Sequence, residues 1–327
     1  MTKIYGDDDG DVSRLDGQDI AIVGYGNQGR CWALNLRDSG CRVRVCVRAD
    51  ETRAQAQADG FTPADLDAAS TAPIACLLIP DGAIPELPIE RPADGLTVVA
   101  SGYTVAFGRY EPPGDVGLVA PRMLGPEVRR CFTDGTGFVT AVGVHRDVTG
   151  TALARTLAVA KAIGGLRQGA IELTPMQEAV LDLAVEQILS PALTHVTGAF
   201  VRTMIEREIP IEAVLAELYL SGEVERNYRL LREFGFVGQL ELHSPTSQYG
   251  QLSRRGRFDH LDVAARMREL ADEIESGRFA DEWDAESRAG YPRLAKLKAE
   301  HAGASVAAFE DAVRSRLGPK RPNGRGD

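Results

Sequence analysis

The chain is predicted to be an α/β protein, with an N-terminal doubly wound parallel sheet followed by an all-helical C-terminal domain. Three observations predict this. A glycine-rich turn, Gly24-Tyr25-Gly26-Asn27-Gln28-Gly29, sits between an apolar strand and a helix-like run. Short apolar runs separated by helix-length spacers recur up to about residue 172, the pattern of buried parallel strands. Beyond Glu172 long helical periodicity replaces strand-like alternation. The expected divisions are therefore 1–172 for the sheet domain, 173–317 for the helical domain, and 318–327, ending PKRPNGRGD, for a disordered tail.

Taken in order, the apolar strand Ile20 to Val23 runs into the glycine turn, a helix follows from Arg30, and alternating apolar residues from Val43 to Val47 form a second strand. This is a Rossmann-like, dinucleotide-binding βαβ unit. Gly24 permits the tight turn, Gly26 lets the backbone approach a pyrophosphate, and Gly29 lets helix pack close on strand. The N–H groups at the helix start then meet the phosphates, aided by the helix dipole. After the second strand the chain reads Arg48-Ala49-Asp50-Glu51-Thr52-Arg53. Asp50 stands about twenty residues past the glycines, where an acidic side chain accepts from the adenosine ribose and repels a 2′-phosphate. The expected cofactor is NAD(P)H, with NADH favoured; Arg48 and Arg53 pull the other way. Ala75 to Ile79, Leu96 to Ala100, Gly117 to Ala120 and Gly137 to Val144 are the next strand runs. Ligands in such sheets bind at the carboxyl ends of strands, so Pro80, Asp81, Ser101 and Arg122 are expected to line the cleft.

In the second half, Thr174-Pro175-Met176-Gln177 is a helix start, with threonine at the cap, proline at the first helical position and glutamine at the third. Further helices are expected over 197–208, 210–233 and 261–276, with a Gly/Pro-rich break at 234–256. Asp182 and Glu186, four residues apart on the helix from Thr174, lie about 40° apart around its axis and about 6 Å along it. Their neighbours are apolar, and buried carboxylates need a cation or a hydrogen-bond partner. Oxygen ligands suit Mg²⁺ better than zinc. An exposed pair beside an apolar stripe is the alternative. Glu217, Glu223 and Glu225 form a second acidic cluster, from which Glu223 is the candidate to face the first pair.

Composition narrows the function classes. The 327 residues are 44% hydrophobic, enough for two cores, and a net charge of −10 argues against nucleic acid or an anionic membrane as partner. No apolar run approaches membrane-spanning length, and Met1 opens onto a polar, acidic segment rather than a signal peptide. Asp7, Asp8, Asp9 and Asp11 lack the closing glutamate of a calcium loop and read as a solvated turn. Cys31, Cys41, Cys46, Cys76 and Cys131 match neither a zinc nor a disulfide spacing, as expected of a reduced, cytoplasmic protein.

Over nearly its whole length the chain resembles ketol-acid reductoisomerase of the short, class I type. The matching segments are GYGNQG with ALNLRDSG behind it, LLIPD, SGYTVAFG, the APR…G…VRR stretch, AIGGLRQGAIELT, DLAVEQ, HSPTSQYG and SGRFADEW…AGYPRL. The resemblance implies a helical domain intertwined with a second copy, a homodimer with its active site at the interface. It also implies two Mg²⁺ ions that chelate a small-molecule substrate, a 2-hydroxy-2-keto acid. An alkyl group migrates and NADPH reduces the product. By position, Asp182 would bridge the metals, Glu186 would complete one of them, Glu223 would serve from the partner helix, and Ser244 would touch the substrate carboxylate.

The chain departs from the family pattern where the chemistry is sensitive. Ser101 stands where the family carries histidine, Arg122 where it carries lysine, and Tyr219, near the substrate, where it carries the first glutamate of the second-helix pair. Ser190-Pro191 replaces Gly-Gly after the acidic helix. Serine cannot relay protons near neutral pH as histidine does, and arginine stays protonated where lysine is tunable. The expectation is therefore a nicotinamide-dependent reductase of this type with a changed substrate or a lost isomerase step, in specialised metabolism. An ordinary reductoisomerase of branched-chain amino acid biosynthesis, with His243 supplying the missing imidazole, is one alternative. A catalytically inactive nucleotide-binding interaction protein is another.

Overall fold

The computed structural model describes residues 1–302 and 313–318; of the tail expected at 318–327, all but the first residue lie outside the described residues. Its contacts divide the chain into two compact units, Met1–Leu183 and Ala184–Asp327.

The first unit is built on one eight-stranded sheet. In chain order the strands are β1 (Ile4–Tyr5), β2 (Asp19–Val23), β3 (Arg42–Cys46), β4 (Ile74–Leu77), β5 (Leu96–Val99), β6 (Asp115–Pro121), β7 (Thr140–Arg146) and β8 (Ala170–Glu172). Across the sheet they run β1-β8-β7-β6-β5-β4-β2-β3. The expected all-parallel arrangement holds from β3 to β6 and is corrected beyond it, because β7 pairs antiparallel with β6 and β1 antiparallel with β8. A helical crossover is needed to return a strand parallel. Between β6 and β7 there is one helix, Gly125–Thr133, yet the chain re-enters at the end of the sheet where β6 finished, pairing Pro121 with Thr140, a choice that hydrophobic runs alone do not encode. Ile20, Ile22, Val45, Ile74, Cys76, Leu96 and Val98 are fully buried on this sheet and Trp32 packs against it, forming the main core.

The helices of this unit are α1 (Asn27–Asp38), α2 (Glu51–Ala58), α3 (Tyr103–Ala106), α4 (Gly125–Thr133), α5 (Ala152–Ala162) and α6 (Pro175–Ala184). The expected start of α6 is present as a reciprocal cap. Thr174 Oγ1 accepts from the Gln177 N–H at 3.2 Å, and Gln177 Oε1 accepts from the Thr174 N–H at 3.0 Å. The acidic N-terminus is a short 3₁₀ turn, Asp7–Asp9, closed by Gly6 N–H donating to Asp9 Oδ2 at 2.7 Å.

The second unit is helical: α7 (Ser190–Glu206), α8 (Ile211–Leu215), α9 (Glu223–Gly238, broken by a kink at Gly235), α10 (Pro245–Arg254), α11 (Val263–Glu275), α12 (Arg278–Arg288) and α13 (Pro292–Ala302). Two expectations are corrected. The single helix over 210–233 is interrupted by a π-helical turn at Ala216–Leu220 and by Gly222, whose φ of 78° no continuous helix tolerates. The break at 234–256 contains a helix, α10, because Ser244 caps it and Pro245 occupies its first position, where a missing N–H costs nothing. No helix among the described residues is long and apolar enough to cross a membrane.

Candidate functional site

Because β2 to β6 are mutually parallel, the residues after each of them emerge on one edge of the sheet. Each glycine of the turn has a separate geometric reason to be there. Gly24 has φ of 96°, and a Cβ on it would lie 2.6 Å from the Leu78 carbonyl oxygen. A Cβ on Gly29 would lie 2.2 Å from the Gly24 carbonyl oxygen, so α1 could not approach β2 with any side chain there. Gly26, by contrast, faces open space. It is also the N-cap of α1 and supplies no side-chain acceptor, which leaves the first-turn N–H groups, beginning at Asn27, directed at whatever occupies that space.

The neighbouring side chains are less available than their positions suggest. Tyr25 is buried; its hydroxyl donates to Asp59 Oδ2 at 2.9 Å and its ring packs edge-on against Phe61, so only its backbone faces the cleft. Gln28 donates to the Met123 carbonyl at 3.0 Å and accepts from Trp32 Nε1 at 3.2 Å, tying α1 to the loop after β6. Asp50 caps α2, accepting from the Thr52 N–H at 3.0 Å and the Thr52 hydroxyl at 2.5 Å. These bonds, led by the Thr52 hydroxyl, hold its carboxyl below the usual range. Arg53 turns inward to Asp65 and the Val47 carbonyl, so it braces the loop and does not face a 2′-phosphate. Arg48 stays exposed, 3.6 Å from Asp50. Pro80 is exposed and Asp81 half-buried at the end of β4.

At the ends of β5 and β6 the chain assembles a second cluster. Ser101 is half-buried, and its hydroxyl accepts from the Tyr103 N–H at 3.2 Å. A Cβ at Gly102 would lie 2.1 Å from the Pro175 carbonyl oxygen, so only glycine lets this loop touch the start of α6. That contact brings the Gly102 N–H to Glu178 Oε2 at 2.6 Å. Glu178 is fully buried. Its other oxygen takes a charged hydrogen bond from Arg122 Nη2, while Arg122 Nη1 lies 3.4 Å from Asp182 Oδ1. Burial pushes the Glu178 carboxyl above its usual range, although Gly102 and Arg122 pull it down and Asp182 pushes it up.

Glu178 is the residue that the sequence reading missed. The signal was present: it precedes Asp182 by the same four residues that separate Asp182 from Glu186. Burial was expected at Asp182 and Glu186 and is corrected for both. Both are exposed in this chain, as are their apolar neighbours Leu181, Val185 and Leu189.

Glu186 lies in a π-helical turn, Val185–Leu189, in the second unit, so the simple four-residue spacing does not carry over to it. Tyr219 lies in the other π-helical turn and is exposed. Glu223 opens α9 after the Gly222 break and does not share a helix with Glu217. Ser244 is exposed, and its hydroxyl accepts from the Ser247 N–H at 3.3 Å. His243 is held by Gln239, ring nitrogen to Oε1, at 3.1 Å. Among the described residues no three His, Cys, Asp or Glu side chains converge as a closed metal site would require. Asp182 and Glu186 each present an exposed carboxylate, the type of oxygen ligand a hard cation takes.

Comparison with known proteins covers both units. Residues 14–169 match the family described as acetohydroxy acid isomeroreductase, NADPH-binding domain, and residues 176–318 match ketol-acid reductoisomerase, C-terminal domain. The chain is 38% identical over 306 residues to a ketol-acid reductoisomerase (NAD(P)(+)) of Metallosphaera sedula, covering 90% of this chain and 91% of that one. It is 37% identical to a ketol-acid reductoisomerase (NADP(+)) of Sulfurisphaera tokodaii, over 90% and 91% of the two chains. The solved structure of an NADH-preferring ketol-acid reductoisomerase from an uncultured archean superposes with a TM-score of 0.88 at 28% identity, covering 97% of this chain and all of that one. These names favour the ordinary reductoisomerase reading over the expected change of substrate or loss of the isomerase step. The chain belongs to the ketol-acid reductoisomerase family, a family of NAD(P)-dependent oxidoreductases.

Proposed function

We propose that this protein is an Mg²⁺-assisted, NAD(P)H-dependent ketol-acid reductoisomerase that takes a small 2-hydroxy-2-keto acid. The observation that carries the proposal is the meeting, on one sheet edge, of an open glycine turn and the Arg122–Glu178–Asp182 cluster. When bound, the metal supplies carbonyl polarisation and the nicotinamide supplies the hydride. Gly26 and the first-turn N–H groups of α1 hold the pyrophosphate. Pro80 and Asp81 line the nicotinamide side of the cleft, Asp182 and Glu186 are the candidate metal ligands, and Glu223 serves from the helix of a second copy. Ser244 contacts the substrate carboxylate. Arg122 fixes charge beside Glu178 and Asp182.

The active site is completed by a second copy of the chain. This is supported by the apolar side chains that the second unit leaves exposed, among them Val196, Phe200, Tyr228, Phe236, Val237 and Phe258. Five thiols without disulfide partners support a reducing, cytoplasmic setting.

One observation favours a second reading, in which reduction survives without alkyl migration. Ser101 and Arg122, neither able to relay a proton near neutral pH, stand where the family carries histidine and lysine. General acid–base help is worth about 10²–10⁴ in rate. The test is to offer purified protein, with Mg²⁺ and either cofactor, 2-acetolactate and separately a preformed 3-hydroxy-2-keto acid. Turnover of both supports the reductoisomerase; turnover of the second alone establishes the uncoupled reductase; turnover of neither overturns both.

NADH is the preferred cofactor in this reading. Asp50 is fixed as the cap of α2 and its carboxyl is held below the usual range, first by the Thr52 hydroxyl, so a 2′-phosphate beside it would meet a negative charge that Arg48 and the inward-held Arg53 only partly offset. The expected result is a higher kcat/KM with NADH than with NADPH. A clear advantage for NADPH would overturn the assignment.

A further inference from the structure

We infer that the Arg122 guanidinium stands in for one cation in the active site, so that this chain binds a single divalent ion where its family binds two. The inference rests on the metal-assisted reading above. Both oxygens of Glu178 are engaged, Oε2 by the Gly102 N–H at 2.6 Å and Oε1 by Arg122 Nη2, and the side chain is fully buried. Glu178 is therefore committed to these two partners, and turning either oxygen to a metal would weaken a buried contact. Asp182 presents Oδ1 to Arg122 Nη1 at 3.4 Å, which leaves Oδ2 as its unshared oxygen.

The arginine is anchored where it stands. Its Nε donates to the Ala120 carbonyl at 3.2 Å, and its backbone N–H donates to the Val139 carbonyl at 2.9 Å, so both ends belong to the sheet. A guanidinium cannot vacate its charge by losing a proton, and its planar fork holds the two carboxylates in a fixed geometry where a lysine ammonium is a flexible point charge. Two carboxylates and one guanidinium leave one net negative charge. A first dication, held through Asp182 Oδ2 and ligands from outside this cluster, tolerates that balance. A second would be repelled by the first and by Arg122, with no unengaged carboxylate oxygen of Glu178 to hold it.

The experiment is a Mn²⁺ titration of chelator-stripped, full-length protein, counting bound ions by electron paramagnetic resonance. The Mn²⁺-dependent rise in Tm serves as a readout independent of turnover. The parent is expected to bind one Mn²⁺ per chain. Arg122→Lys, which keeps a cation but gives up the fork, and Arg122→Gln, which removes the charge, are expected to bind a second, with at least tenfold tighter affinity than the parent shows for any second ion. A second ion in either folded variant supports the inference. Two ions in the parent, or one in both variants, overturns it while leaving the metal-assisted reading standing. No Mn²⁺ bound by any form overturns both.

Discussion

Asp182→Asn is expected to lower kcat by on the order of 10²–10³, the loss that follows removal of one preorganised electrostatic group from an active site. The same change should weaken Mg²⁺ binding, because an amide keeps the shape of the carboxylate and gives up the charge that a hard cation needs. The fold should barely respond. The Asp182 side chain is 50% exposed, and its contact with Arg122 is long and secondary to the one made by Glu178. A substitution at such a place ordinarily changes stability by no more than about 0.5 kcal/mol. Steady-state kinetics over a Mg²⁺ series and thermal unfolding of the same preparation separate the two effects. A variant that bound Mg²⁺ and turned over like the parent would make this carboxylate structural and place the metal elsewhere.

Glu178→Ala should show the opposite balance, with a large loss of stability. The change strips the Gly102 N–H of its acceptor and Arg122 of its closest counter-charge. An orphaned buried donor costs about 1–3 kcal/mol. Breaking a buried ion pair costs about 3–5 kcal/mol when the remaining charge stays trapped. Arg122 is 28% exposed and can reach water, so the lower part of that range applies and a total near 3 kcal/mol is expected. Glu178→Gln keeps an acceptor for Gly102 and should recover about half of the loss. It also frees Arg122 to close on Asp182, so its Mg²⁺ affinity should fall even where its stability recovers. Denaturant unfolding of the three proteins checks the ordering; a loss below about 1 kcal/mol in the alanine variant would mean that Glu178 does not organise the loop after β5.

What the sequence by itself determined is local. Strand Ile20–Val23, the glycine turn and α1 follow from neighbours along the chain, and each glycine serves the purpose its position announced. Gly24 takes a positive φ, Gly26 faces open space, and Gly29 lets helix meet strand. The reciprocal Thr174–Gln177 cap is equally local, four consecutive residues satisfying their own backbone. The family could be read for the same reason, since its motifs are contiguous segments.

The tertiary structure decided everything that depends on residues far apart in sequence. Asp50 stands where a ribose acceptor belongs, yet its oxygens also cap α2; Tyr25 belongs to the motif, yet its ring is turned into the core against Phe61. Nothing in the periodicity turned β7 antiparallel to β6, because hydrophobic runs state that a strand is buried and not which way it runs. Apolar neighbours suggested burial for Asp182 and Glu186, but a helix stripe is buried only if something covers it, and in the single chain that stripe is open. The buried carboxylate is Glu178, brought under Gly102 by a contact spanning 76 residues and paired with Arg122 across 56. A sequence records which groups carry charge; whether water reaches them, and which opposite charge arrives first, is fixed only when the sheet edge and α6 meet.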